Sequence, residues 1–315
     1  MEHAAYQEEK AEILNRIEAI ANRDVDGMDA PRQLQRFLGS GDAEIVGSAL
    51  QVAGNFVADQ TLFEEVLRLA AEHPDEEVRG MACGSLSHVI YDGLENEDDL
   101  PDEAQAPESS GNPEFYQTVK EFLFSKVDAL MESMEVRRRV LEALGYLAWK
   151  PEVRELVLRF YRQAPNPWVK VSALHAMSLV PDPIFERIVL EELFSRDDNV
   201  LIEAAHATHM LHLHAAAPRL AELTRHANID VRYEAITALS LVGPLDSLPD
   251  IFEKIEAENT NSENSEESED IAEALEHARA ALEQRSKLDK GENLWDDQQV
   301  LSEIEEMIEN PESGT

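Results

Sequence analysis

The chain has 315 residues, 43% of them apolar, and its 27 Lys+Arg against 65 Asp+Glu give a formal charge of −38. So acidic a surface repels nucleic-acid backbones and anionic membranes, which excludes both as expected partners. The one cysteine, Cys83, excludes an internal disulfide, no signal pattern opens the chain, and no apolar run nears the roughly 18 residues of a membrane span, so a soluble cytoplasmic protein is expected.

In chain order, residues 1–30 read as an N-terminal cap, with an amphipathic stretch at Ala11–Ala21. From there the sequence writes one word six times: V-R-x-x-A-x-x-A-L-G, opened by Asp or Asn three residues earlier in most copies. The cleanest copy runs from Val136 to Gly145, and the others start at Ile45, Val78, Val169, Val200 and Val231. The starts are separated by 33, 58, 33, 31 and 31 residues, and a period near 32 predicts stacked structural units. Val, the two small residues and Leu fall on one helical face, so each word predicts an inner helix. Asp75, Asn166, Asp197 and Asn228 stand where side-chain N-caps belong.

A second amphipathic segment precedes five of the words: Leu62–Ala71, Phe115–Met131, Glu152–Arg162, Pro183–Phe194 and Ala217–His226. Pro151, Pro167, Pro181 and Pro183 mark the connections. The 58-residue interval exceeds one repeat by about 25 residues, and the excess lies at 92–113 as an acidic loop insertion. Residues 258–270, rich in Ser, Asn and Glu, read as a linker. Residues 271–315 read as acidic C-terminal helices and tail, the first with Ala274, Leu275, Ala278, Ala281 and Leu282 along one side.

The word, its Asp/Asn opening and its period resemble HEAT repeats, specifically the short version of the phycobilin-lyase-like group, over roughly residues 31–257. The resemblance implies an all-α, right-handed solenoid of about six helix pairs with helical caps. It leaves activity open, because the group includes scaffolds, lyases and metal enzymes.

Two constellations stand out from the repeat. Between Arg137 and Lys170 lie eight bases (Arg137, Arg138, Arg139, Lys150, Arg154, Arg159, Arg162, Lys170) and three acids (Glu142, Glu152, Glu155). That window carries +5 and the rest of the chain −43, against −38 overall. Tyr146, Trp149, Phe160, Tyr161 and Trp168 share the stretch, and Arg with aromatics is the composition of interface hot spots. One reading is a docking site for a protein partner with an acidic or phosphorylated segment, using Arg138, Arg139, Trp149, Lys150, Arg154, Trp168, Lys170, His175 and His206. In a second, the aromatics are core and the charges pair within the repeats. In a third, the acidic loop or the C-terminal helix covers the band. Arg137 recurs as Arg79, Lys170 and Arg232, which suggests a ladder between repeats.

The other constellation is histidine. Glu142, His175, His206 and Thr237 occupy one slot in successive words and would align as a stripe, so Glu142, His175, His206 and His209 are the candidate metal ligands, set against a reading as ordinary groove residues. His206, His209 and His212 drift about 60° per step on a helix and do not converge on one ion. HEAT-type iron hydroxylases use paired His-Glu dipeptides, and none of the ten His here precedes a Glu. Cys83 reads as an inert core thiol. Trp295, Leu301, Ile304 and Ile308 form an amphipathic tail motif, either a docking helix or a cap. The sequence therefore predicts a non-enzymatic scaffold without cofactor that binds a protein partner. The alternative is a metal-dependent or chromophore-handling enzyme using the histidine stripe.

Overall fold

A computed structural model of the chain describes residues 2–23, 29–97, 111–129, 131–260 and 265–289. All regular structure among them is helical. They fall into two compact units, 1–187 and 188–315, and the all-α helical-repeat architecture expected from the six words is present in each.

In the first unit α1 (Glu2–Ala21) packs on the first word-bearing helix. The outer helices are α2 (Ala30–Leu38), α4 (Gln60–Glu72), α7 (Pro113–Val127) and α9 (Pro151–Arg162). Each packs on the word-bearing helix that follows it: α3 (Ala43–Ala53), α5 (Glu76–Ser85), α8 (Met134–Leu144) and α10 (Pro167–Ser178). A short helix, α6 (Ser87–Asp92), packs between α7 and α8. The inner helices stack in the order α3, α5, α8, α10. The unit boundary falls within α11 (Pro183–Glu192).

In the second unit α12 (Asp198–Met210), α14 (Ile229–Val242) and α16 (Ser265–Asp289) form the inner row. Behind them stand α13 (Ala217–Leu223), packed on α14, and α15 (Leu248–Thr260), packed on α16. The pair α15–α16 is thus a further repeat that the six words did not include. Its inner helix places Ile271, Leu275 and Ala278 at the spacings of Val, Ala and Ala in the word, all three buried. Of the segment read as a linker, 258–260 and 265–270 are helical, and 261–264 lie outside the described residues.

Local chemistry explains why these helices start and stop where they do. Asp75, Asn166, Asp197 and Asn228 each accept from backbone N–H groups of the first turn, as do Asp42, Asp59, Asn112 and Ser133 ahead of α3, α4, α7 and α8. Each such cap is worth about 1 kcal/mol. The Arg of the word closes the preceding turn. Arg79 donates to the carbonyls of His73 and Pro74, and Arg232 donates to those of His226 and Ala227, the same two positions of the repeat. Each also meets a carboxylate at the start of the next inner helix, Glu132 just ahead of α8 at 2.8 Å and Glu267 in the first turn of α16 at 2.6 Å. The expected ladder is therefore Arg to Glu across repeats. Arg137 instead donates to the Val127 carbonyl at 2.7 Å, at the end of α7. That helix stops short of the expected Met131, which is 98% exposed.

The small residues of the word set the helix spacing. Ala173, Ala176, Ala204, Ala207, Ala235 and Ala238 are fully buried. A Cβ added to Gly145 would lie 2.8 Å from the Cα of Ala176, so the closing glycine of the word is a requirement of close approach. The 92–113 insertion has a closed neck: α6 ends at Asp92, whose carbonyl accepts from Gly111 N at 2.7 Å, and Asn112 caps α7. Residues 98–110, read as a mobile loop, lie outside the described residues.

Candidate functional sites on the inner helices and turns

The basic band divides into an inner face and a turn edge. On the inner face, Arg138 is 13% exposed and meets Glu135 at 2.5 Å and Glu142 at 3.4 Å. Arg139 meets Glu142 at 3.1 Å, and Ser172 Oγ donates to the same carboxylate at 2.5 Å. Glu142 is therefore taken up by two guanidinium groups and a hydroxyl, which removes it from the candidate metal ligands. His175, in the equivalent slot of α10, is half-buried. Two further bases of the band have partners: Arg154 on the outer helix α9 meets Asp182 at 2.8 Å, and Arg137 lies over the Phe160 ring.

Lys150 is buried and belongs to a polar cluster built by the insertion. Glu97 lies 2.8 Å from Lys150 and also accepts from Lys120 and Tyr116. Burial pushes the Glu97 carboxyl up, but hydrogen bonds from Lys120, Lys150 and Tyr116 outweigh it and hold the group at about 2. The first described turn of the insertion thus docks onto the band and neutralises one of its cations.

What remains at the surface lies where α9 turns into α10. Trp168 is 54% exposed in the first turn of α10. Lys170 lies over the Tyr161 ring at 5.4 Å, so the two helix ends are in contact there. Arg162 is exposed and forms no ion pair among the described residues. Arg159, also half-exposed, meets Asp128 at 2.5 Å. A cleft of ≈ 520 Å³ beside this edge is lined by Phe124, Leu156, Arg159 and Arg162 with the carboxylates of Asp128 and Glu155. Trp149 is half-buried and its Nε1 has no hydrogen-bond partner among the described residues.

The second unit holds the histidine group. His206 and His209 stand one turn apart on α12, their rings edge to face with centroids 4.6 Å apart. Both face Glu234 on α14. His206 Nδ1 lies 3.5 Å and His209 Nδ1 3.7 Å from Glu234 Oε1. These separations are too long for well-formed hydrogen bonds. His209 Nδ1 and Glu234 Oε1 are buried without a hydrogen-bond partner among the described residues. The Glu234 carboxylate holds His206 above its ordinary pKa, whereas burial, reinforced by the neighbouring His206, pushes His209 down.

Sequence reasoning doubted that the α12 histidines could converge and did not include Glu234. The register contains the missing signal. Glu234 stands three residues after the Val of its word, and His206 six after the Val of the word before. Glu142 and Ser172 hold those same two positions one repeat pair earlier and are hydrogen-bonded. The slot six after Val therefore meets the slot three after the next Val.

The other candidates resolve simply. Cys83 is buried and its thiol is pushed up to about 12 by burial, which makes it inert as a nucleophile. Trp295, Leu301, Ile304 and Ile308 lie outside the described residues. No described helix is long and apolar enough to cross a membrane.

No family model matches the chain, and no curated protein matches it either. Solved structures that it resembles include YibA of E. coli, at 17% identity over 84% of this chain and 85% of that one, with a TM-score of 0.40. The CpcE–CpcF complex of phycocyanin lyase from Nostoc is similar at 19% identity over 72% and 94%, TM-score 0.40. Human deoxyhypusine hydroxylase is similar at 14% identity over 87% and 98%, TM-score 0.37. Likenesses this distant leave the chemistry of this chain to be read from its own residues.

Proposed function

We propose that this chain is a non-enzymatic helical-repeat scaffold of the cytosol that holds an acidic segment of a protein partner on the turn edge between α9 and α10. Trp168 carries the reading. An indole 54% exposed at a helix start forgoes burial worth roughly 25 cal/mol per Å² of apolar area. It shares the α9–α10 turn with an exposed Arg162 and with the Lys170–Tyr161 pair, on a chain whose charge is otherwise overwhelmingly negative. Aromatic and arginine anchors at one spot are what a hot spot requires, and local positive charge selects an acidic segment from its competitors.

The inner-face members of the band support this surface from behind. Arg138, Arg139, Lys150 and Arg154 are held by carboxylates of the chain itself, so they fix the ends of α8, α9 and α10 in place. Reversing Arg138 and Arg139 would therefore strain the fold before it tested binding. The informative variant is Trp168→Ala with Arg162→Glu, compared with wild type in parallel affinity capture. The expected result is a set of acidic proteins retained by wild type and lost by the variant, with unchanged helicity and melting. Identical retention by both removes this edge as the site.

A further inference from the structure

We infer that α12 and α14 form a binding site for a divalent transition-metal ion of the zinc class, with His206 Nδ1, His209 Nδ1 and Glu234 Oε1 as its three protein ligands. The inference goes beyond the scaffold reading and uses none of the residues that carry it.

The geometry comes first. One ligand atom from each of His206, His209 and Glu234 lies within 4.8 Å of the other two. A tetrahedral zinc ion with bonds of about 2.0–2.1 Å needs its ligand atoms about 3.4 Å apart. The two histidine-to-glutamate separations, 3.5 and 3.7 Å, are already close to that edge length. They are too long for hydrogen bonds of good geometry and suit ligands around a common ion. The two rings stand edge to face, one turn apart, with centroids 4.6 Å from each other.

The second observation is the unmet polarity. His209 Nδ1 and Glu234 Oε1 are both buried without a hydrogen-bond partner among the described residues. A buried polar atom left unpaired costs about 1–3 kcal/mol. Here two such atoms face each other across a gap that one ion would fill, satisfying both.

The donor set selects the ion. Two imidazoles and one carboxylate suit zinc and its neighbours, whereas magnesium and calcium require oxygen ligands throughout. The His206 side chain is 37% exposed, against 15% for His209 and 18% for Glu234. The open side of the site is therefore at His206, where water or a group from a bound molecule can supply the fourth ligand. Three protein ligands with one open position is the arrangement that leaves zinc able to bind something else.

The test uses the full chain stripped with a chelator, then equilibrated with zinc chloride and dialysed in the presence of excess magnesium, which occupies the acidic surface. One zinc per chain by elemental analysis is expected. His206→Gln and Glu234→Gln should each weaken binding at least about tenfold, with circular dichroism showing the fold intact. Cobalt(II) should give the strong visible bands of a four-coordinate, nitrogen-ligated ion. Zinc absent after dialysis, or retained equally by the His206→Gln/Glu234→Gln double variant, would overturn the assignment. So would cobalt showing only the weak spectrum of the aqueous ion.

Discussion

Two polar regions on the inner helices treat their charges in opposite ways. Around α8 to α10, these cations of the band have partners within the first unit: on the inner helix Arg138 and Arg139 share Glu135 and Glu142, and at α9 Lys150 has Glu97 and Arg154 has Asp182. Around α12 and α14, two histidines and one glutamate converge on one another; buried side-chain atoms without a hydrogen-bond partner occur in both regions, at Arg139 Nε, Trp149 Nε1 and Arg154 Nε in the first and at His209 Nδ1 and Glu234 Oε1 in the second. The region conspicuous by net charge pairs its cations with carboxylates of the chain, whereas in the region with no net anomaly the unpaired atoms of His209 and Glu234 face one another. Net charge in a window reports composition, whereas unmet hydrogen-bonding capacity reports where a ligand would be welcome.

Equivalent substitutions in the two regions should expose this difference. The largest effect is expected from Glu97→Gln, which strands Lys120 and Lys150 around a neutral amide. Breaking a buried ion pair costs about 3 kcal/mol or more, readable by denaturant unfolding. Because the Glu97 carboxyl is depressed to about 2 in the fold, its contribution is complete above the ordinary carboxylate pKa. It is lost as pH falls through about 2, so the wild-type advantage over Glu97→Gln should shrink on acidification.

Next comes Glu142→Gln, which weakens charge-assisted bonds from Arg138 and Arg139 and should cost about 1–2 kcal/mol. Glu234→Gln, the same change in the second unit, should be within about 0.5 kcal/mol of wild type in chelator, because no well-formed hydrogen bond is lost. Added zinc should raise the melting temperature of wild type and leave that of Glu234→Gln in place, which would convert the contrast into a difference in linkage. The smallest effect on stability is expected for Trp168→Ala, within about 0.5 kcal/mol by thermal melting, since its indole is mostly in water. A larger loss would mean that Trp168 packs the α9–α10 turn and is not held out for a partner.

How much of this was legible in the sequence depended on the range of each interaction. The inner helices and their caps were readable because Asp75 and Asn228 act on residues two or three positions away. The further repeat at α16 escaped because Ile271 is followed by Ala272 where the word has Arg, and Leu275 replaces its first alanine. The charge of the band was misleading for a related reason. Glu142 lies inside the window from Arg137 to Lys170, but four more of its counterions, Glu97, Asp128, Glu135 and Asp182, lie outside it. The His206–His209–Glu234 group needed the offset between slots of neighbouring repeats, which no single copy of the word contains.

Arg79 and Arg232 raise a different matter, that of exchange between repeats. Each guanidinium closes the turn of its own repeat and then meets a carboxylate four residues before the hydrophobic opener of the next inner helix, Glu132 and Glu267. The first contact travels with the module, and the second is a matching condition at the seam. A repeat cut out and grafted elsewhere in an array would keep its own turn but join cleanly only to a successor with an acid at that position. The pair would thus act as a matching condition at these two seams, which the seams after Arg137 and Lys170 lack, since Pro165 and Arg196 stand four residues before Val169 and Val200.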